Sequence, residues 1–189
     1  MNKFYLFTIS LLVCLSFVSC KKDPATEAKK ELVVEKDEGF CATHDFPNST
    51  WTFPKKELAN GDITIDKTLS IKGLLPDCSK RYDLFLIIDF LPNIEANTLP
   101  IDFTTITPKG TSKQSCSLKV DFNDKERVKE ITLPDGTTCQ RYSYPIYSQK
   151  KFTESGEYTF DLYSKHSKLS LYGIKSIHIK LVENETKQK

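Results

Sequence analysis

Between residues 63 and 182 the chain repeatedly alternates apolar and polar residues with period two, and no other feature constrains its fold as strongly. Side chains on a strand point alternately to opposite faces, so this alternation describes strands with one face buried and one face wet. Ile177, Ile179 and Leu181 share one phase, with Ser176, His178 and Lys180 in the other. Ile63 and Ile65 alternate with Thr64 and Asp66, and Leu69 and Ile71 continue nearby. Ile101, Phe103 and Thr105 alternate with Asp102 and Thr104, and Leu118, Val120 and Phe122 with Lys119 and Asp121. Tyr142, Tyr144 and Ile146 share a phase, as do Tyr158, Phe160 and Leu162. YDLFLIIDFL (82–91) is apolar in both phases, which predicts a central strand covered on both faces.

The punctuation agrees. Asn60-Gly61, Lys109-Gly110, Asp135-Gly136 and Ser155-Gly156 separate these segments at short intervals, as turns between antiparallel strands require. No long stretch carries a helical period, although SKHSKLSLYG (164–173) has room for one turn or a short helix. The expected fold is all-β: an antiparallel β-sandwich, jelly-roll or immunoglobulin-like, of about eight strands over residues 40–184.

The N-terminus has a different logic. Lys3 supplies a positive charge, and FYLFTISLLVCLSFV (4–18) is continuously apolar. That length suits a secretory signal and falls short of the roughly 20 residues of a spanning helix. Val18 and Ser19 precede Cys20, and small residues before a cysteine are what a lipoprotein signal peptidase requires. Residues 1–19 are therefore expected to be a lipoprotein signal peptide, and Cys20 the site of diacylglycerol and acyl attachment. An ordinary signal peptide and an uncleaved anchor helix are the competing readings. KKDPATEAKKELVVEKDEG (21–39) is dominated by Lys, Glu and Asp, the composition of a solvated tether. A short helix through 26–36 fits its Ala, Glu and Lys content. Residues 185–189 read as a disordered tail. Lys21, where an aspartate would mean retention in the inner membrane, points to the outer membrane. The single acid of Lys22-Asp23-Pro24 favours its periplasmic face over surface display.

Charge and cysteines narrow the classes further. The formal net charge is +2, with lysines scattered rather than clustered, which gives no nucleic-acid footprint. Of six cysteines, Cys14 falls in the signal and Cys20 takes the lipid. Cys41, Cys78, Cys116 and Cys139 remain, an even set in an exported chain, without the close spacing of a zinc or redox motif. Four cysteines allow three pairings, of which Cys116–Cys139 and Cys41–Cys78 are the expected ones.

Catalytic signatures are absent from the sequence. There is no GxSxG, HExxH, P-loop or GxGxxG pattern, and His44, His166 and His178 read as solvated surface residues. Asp121, Asn123 and Asp124 (DFND) read as a polar strand end rather than a calcium corner. No catalytic residue, metal ligand or cofactor is assigned, apart from the lipid on Cys20. Aromatics are the better candidates for binding: Trp51, Tyr147 and Tyr163 are the residues through which a sandwich could contact a sugar or a partner.

A family resemblance joins these features. Trp51 precedes a strand in WTF (51–53), followed by YDLFLIIDF (82–90), TITPKG (105–110), PDG (134–136) and the block KFTESGEYTFDLYSKHSKLSLYGIKSIHIKLVE (151–183). That block resembles the C-terminal part of the gliding-motility lipoprotein GldH family of Bacteroidetes. The matching positions are Phe152, Gly156, Tyr158, Phe160, Leu171, Gly173 and Ile174. The segment 89–103 and the four cysteines depart from the family pattern, so the chain resembles a divergent member. The resemblance implies a non-enzymatic, lipid-anchored outer-membrane component of the gliding and type 9 secretion machinery, working through protein partners in an envelope complex. The competing expectation is a surface glycan-binding lipoprotein with a carbohydrate-binding sandwich. An enzyme is the third reading.

Overall fold

A computed structural model describes residues 39–184. The expected signal peptide, Cys20, the tether up to residue 38 with the helix expected at 26–36, and the tail beyond 184 lie outside the described residues. Within them no helix is long and apolar enough to cross a membrane.

The described chain is an antiparallel β-sandwich. One sheet has five strands: β1 (Gly39–Asp45), β6 (Arg81–Phe90), β9 (Val128–Thr132), β10 (Thr138–Lys151) and β13 (Ile174–Asn184), in the order β1-β13-β6-β10-β9. The other has four: β5 (Thr68–Leu75), β7 (Thr98–Ile106), β8 (Lys113–Asp121) and β11 (Gly156–Ser164), in the order β5-β11-β7-β8. Two ribbons complete it, β2 (Thr50–Thr52) with β12 (Ser170–Tyr172), and β3 (Lys55–Glu57) with β4 (Ile63–Ile65). The two principal sheets thus hold nine strands against about eight expected, and 164–173 forms bends and β12 rather than a helix.

Period-two patterning explains the core. Leu69, Ile71 and Leu75 of β5, Leu99, Ile101 and Phe103 of β7, Tyr158, Phe160 and Leu162 of β11, and Ile177, Ile179 and Leu181 of β13 are all buried in one cluster. Tyr82, Leu84, Leu86, Ile88 and Phe90 of β6, beside β13 in the five-stranded sheet, complete it. Two buried tyrosines keep their hydroxyls paired: Tyr82 donates to the Asp77 carbonyl at 2.8 Å and Tyr158 to the Glu154 carbonyl at 2.9 Å. β1 seals one side. Its Phe40 ring packs on Phe160 and lies so close over Gly73 that no Cβ fits there.

Two expectations change at this level. β6 is central, but among the described residues no further layer covers its outer phase, where Asp83, Phe85 and Ile87 are only half-buried. Its apolar outer residues are shielded by neighbouring strands of the same sheet.

The four cysteines are free thiols, so neither Cys116–Cys139 nor Cys41–Cys78 is formed. Geometry gives the reason. Cys116, opposite Phe103 on β8, leans toward the core from the four-stranded sheet. Cys139 shares the outward phase of Arg141 on the other sheet and is buried there. Cys41 is exposed in the outward phase of β1, whereas Cys78 packs against the core in the β5–β6 turn.

Candidate functional site

An ionisable side chain inside an apolar strand must find partners, because an unpaired buried charge is too costly to keep. Asp89 is such a residue. It sits near the end of β6, points away from the sandwich core, and is nevertheless 0% exposed.

The register supplies its partners. Arg141 of β10 stands opposite Asp89 on one side and Ser176 of β13 on the other. Arg141 donates from Nε to Oδ1 at 2.7 Å and from Nη2 to Oδ2 at 2.8 Å, a bidentate pair. His178 Nε2 lies 3.0 Å from Oδ2, and the Ser176 hydroxyl lies 3.3 Å from the same oxygen and 2.9 Å from Nε2. A neutral His178 satisfies its contacts when Nε2 carries the proton, leaving Nδ1 to accept from the Thr43 hydroxyl at 2.8 Å. Burial pushes the Asp89 carboxyl up, but the hydrogen bonds from Arg141 and His178 outweigh it and bring the pKa down to about 2. Asp89 is therefore an anion at neutral pH.

This cluster floors a cleft of about 660 Å³. One wall is the β9–β10 turn, with Leu133 and Pro134, where Gly136 takes φ 81°. The other wall is Phe46-Pro47, tied to β13 by the Phe46 N–H to Lys175 carbonyl bond of 2.9 Å. Next to that wall Asn48 and Ser49 both hold φ above 50°, an uncommon conformation for residues with a side chain. The Gly173 N–H braces them by donating to the Ser49 carbonyl at 2.8 Å. Lys175, 3.6 Å from Asp135, stands at the rim. The site combines a few convergent polar groups with apolar walls at a volume typical of small-ligand clefts.

The aromatic candidates fare differently. Trp51 is 4% exposed, held between Phe46 and Phe53 at centroid distances of 5.6 and 5.3 Å. It contributes to a neighbouring cleft of about 610 Å³ but offers no open ring for stacking.

Tyr147 was expected to offer a contact surface. A β-bulge at Ile146 puts Pro145 opposite Phe85 but Tyr147 opposite Leu84, a core residue, which flips Tyr147 inward. Tyr163 does point outward from β11, at 45% exposure, on the sheet remote from the Asp89 cleft.

His178 is not the solvated residue expected of it, whereas His44 is exposed and packs edge-on against Phe46 at 4.8 Å. At DFND the carboxylates are occupied within the turn: Asp121 accepts from the Asn123 N–H, and Asp124 from the Glu126 N–H and from Arg127. Among the described residues no group of His, Cys, Asp and Glu is arranged to hold a metal ion.

No family model and no curated protein sequence matches the chain. Among solved structures it is similar to CBM28, a carbohydrate-binding module specific for non-crystalline cellulose, at 9% identity, over 70% of this chain and 79% of that one, with a TM-score of 0.37. It is also similar to TmCBM27, a module characterised for mannan recognition, at 13% identity, over 75% and 93% of the two chains, with a TM-score of 0.37. A third similar structure is dimeric latent PorU from Porphyromonas gingivalis, at 11% identity, over 77% of this chain and 13% of that one, with a TM-score of 0.31.

Proposed function

We propose that this protein is a non-catalytic binding module of the cell envelope that holds a glycan in the Asp89 cleft. The observation that carries the reading is a fully buried, ionised carboxylate facing away from the core, fixed by Arg141, His178 and Ser176 at the floor of an open cleft. Planar polar groups held in fixed geometry can exchange hydrogen bonds with adjacent sugar hydroxyls, while Phe46, Pro47 and Pro134 offer apolar contact to ring carbons.

Two features speak against Asp89 as a general acid. Both Asp89 oxygens are engaged by a guanidinium, and its lowered pKa leaves it without a proton to donate at neutral pH. The test is affinity electrophoresis of the purified protein against a panel of immobilised polysaccharides. Retardation by one of them, weakened by Lys175→Ala at the rim and unchanged by Tyr163→Ala on the other sheet, supports the reading. Retardation by none overturns it.

The second reading, a docking component of the gliding and secretion machinery anchored through Cys20, is favoured by one observation. The β3–β4 hairpin presents Leu58 and Ile63 to solvent, the latter at 69% exposure, as a protein contact would require. Co-purification with gliding proteins, abolished by Ile63→Asp and indifferent to Lys175→Ala, would select it. Metabolic labelling with a fatty-acid analogue, lost on Cys20→Ala, tests the anchor.

A further inference from the structure

We infer that the ligand of the Asp89 cleft is a neutral linear oligosaccharide whose chain continues over Pro47 into the neighbouring cleft. This rests on the reading of the Asp89 cleft as a glycan site. Phe46 and Pro47 line both clefts, so the one of about 660 Å³ and the one of about 610 Å³ meet along a single ridge. Each alone has the volume of a small-ligand site, and a ligand that uses both has to be a chain. Pro47 is exposed on the ridge, where its ring carries no N–H and offers apolar contact. The ridge is tied from within: the Ser49 N–H donates to the Phe46 carbonyl at 3.0 Å, and the Thr50 N–H to the Pro47 carbonyl. A ridge fixed in this way loses little freedom when a ligand crosses it.

The lining of the second cleft decides the chemistry. Its polar groups come from His44, Asn48, Thr50, Thr52 and Thr68, and no Lys, Arg, Asp or Glu lines it. His44, Asn48, Thr52 and Thr68 are exposed, and among the described residues their side chains make no hydrogen bond. Imidazole, amide and hydroxyl groups can each donate and accept, as a run of sugar hydroxyls requires. A charged unit of an acidic polysaccharide would find no counter-charge here. Asn48 keeps its amide in the cleft at φ 54°, where glycine would be the less strained choice. The charged cluster around Asp89 thus fixes one sugar, and neutral groups beyond Pro47 hold the units that follow.

The experiment is isothermal titration of the purified protein with neutral gluco-, manno- and xylo-oligosaccharides, each as the disaccharide and the hexasaccharide, and with hexagalacturonate. In the series that binds, the hexasaccharide should bind about tenfold or more tighter than the disaccharide. Asn48→Gly removes the amide while leaving the positive φ accessible, so the fold is kept. Asn48→Gly and Thr52→Val should each reduce the gain with length, without lowering the thermal midpoint or changing affinity for the disaccharide. Lys175→Ala, at the rim of the Asp89 cleft, should weaken both lengths alike. Three results would overturn the inference and leave the Asp89 cleft standing as a glycan site. They are equal affinity for the two lengths, a gain that survives the Asn48→Gly/Thr52→Val double variant, and tighter binding of hexagalacturonate than of any neutral hexasaccharide. Binding of none of these sugars would overturn both readings.

Discussion

Asp89 and Arg141 face each other across the β6–β10 ladder, with two parallel hydrogen bonds of 2.7 and 2.8 Å joining guanidinium to carboxylate. The carboxylate is the buried member and Arg141 reaches toward solvent, so the two are not equivalent. Removing the arginine strands a buried anion; removing both members strands nothing. Arg141→Ala is therefore expected to destabilise the fold by about 3 kcal/mol. The Asp89→Ala/Arg141→Ala double variant should lose less than the sum of the single losses. Urea denaturation of the four proteins in this cycle measures the coupling, and strict additivity would deny the pair its role.

The same carboxylate sets an acid limit on stability. Its pKa is about 2 in the fold, against an ordinary value of 3.8. Below the ordinary value the unfolded chain takes up a proton that the fold still refuses. The stabilisation is therefore complete above about pH 5 and is lost as pH falls toward 2, a change of about 2 kcal/mol. Unfolding free energy measured from pH 6 to pH 2 should show this loss, and Asp89→Asn should flatten the profile.

Thiol chemistry should follow position. Cys41 is exposed on β1, whereas Cys139 is fully buried, and burial pushes the Cys139 and Cys116 thiols up, away from the reactive thiolate. A maleimide applied to the native protein should label Cys41 first and Cys139 only on unfolding. Peptide mapping without reduction should find Cys41, Cys78, Cys116 and Cys139 alkylated; a Cys116–Cys139 cross-link would contradict the sheet assignment of both residues.

Trp51, the only tryptophan of the chain, reports on the core rather than on a ligand. Its emission should be blue-shifted and poorly quenched by iodide. Trp51→Ala should cost about 3–5 kcal/mol through the cavity left between Phe46 and Phe53. A variant that folds with native stability and loses glycan retention would restore Trp51 as a contact residue.

Much of the sandwich is legible in the chain because one-sided burial imposes a period of two. Ile177, Ile179 and Leu181 occupy the core as their spacing requires, as do Ile101 with Phe103 and Tyr158 with Phe160. The cleft is harder to read, since its members lie 52 and 89 residues apart and meet only through strand register. One signal was present: an aspartate within LFLIIDFL cannot stay charged without a cation opposite it, and Arg141 and His178 both lie in outward phases of long strands. Tyr147 was misplaced because a bulge shifts phase by one residue, and nothing in RYSYPIY announces where that shift falls. The cysteine pairing failed for a related reason: even numbers suggest bridges, but which face each thiol occupies is a property of the ladder.

β1 carries one last consequence. Its first residue, Gly39, pairs with Val182 near the end of β13, while its last, Asp45, pairs with Ser176 beside the cleft. The six steps between them span about 20 Å at roughly 3.3 Å per residue. Both ends of the described chain therefore leave the sandwich at one pole, and the cleft lies near the other. A dye attached at Gly39 or Asn184 would sit at the pole remote from the cleft, clear of whatever binds there.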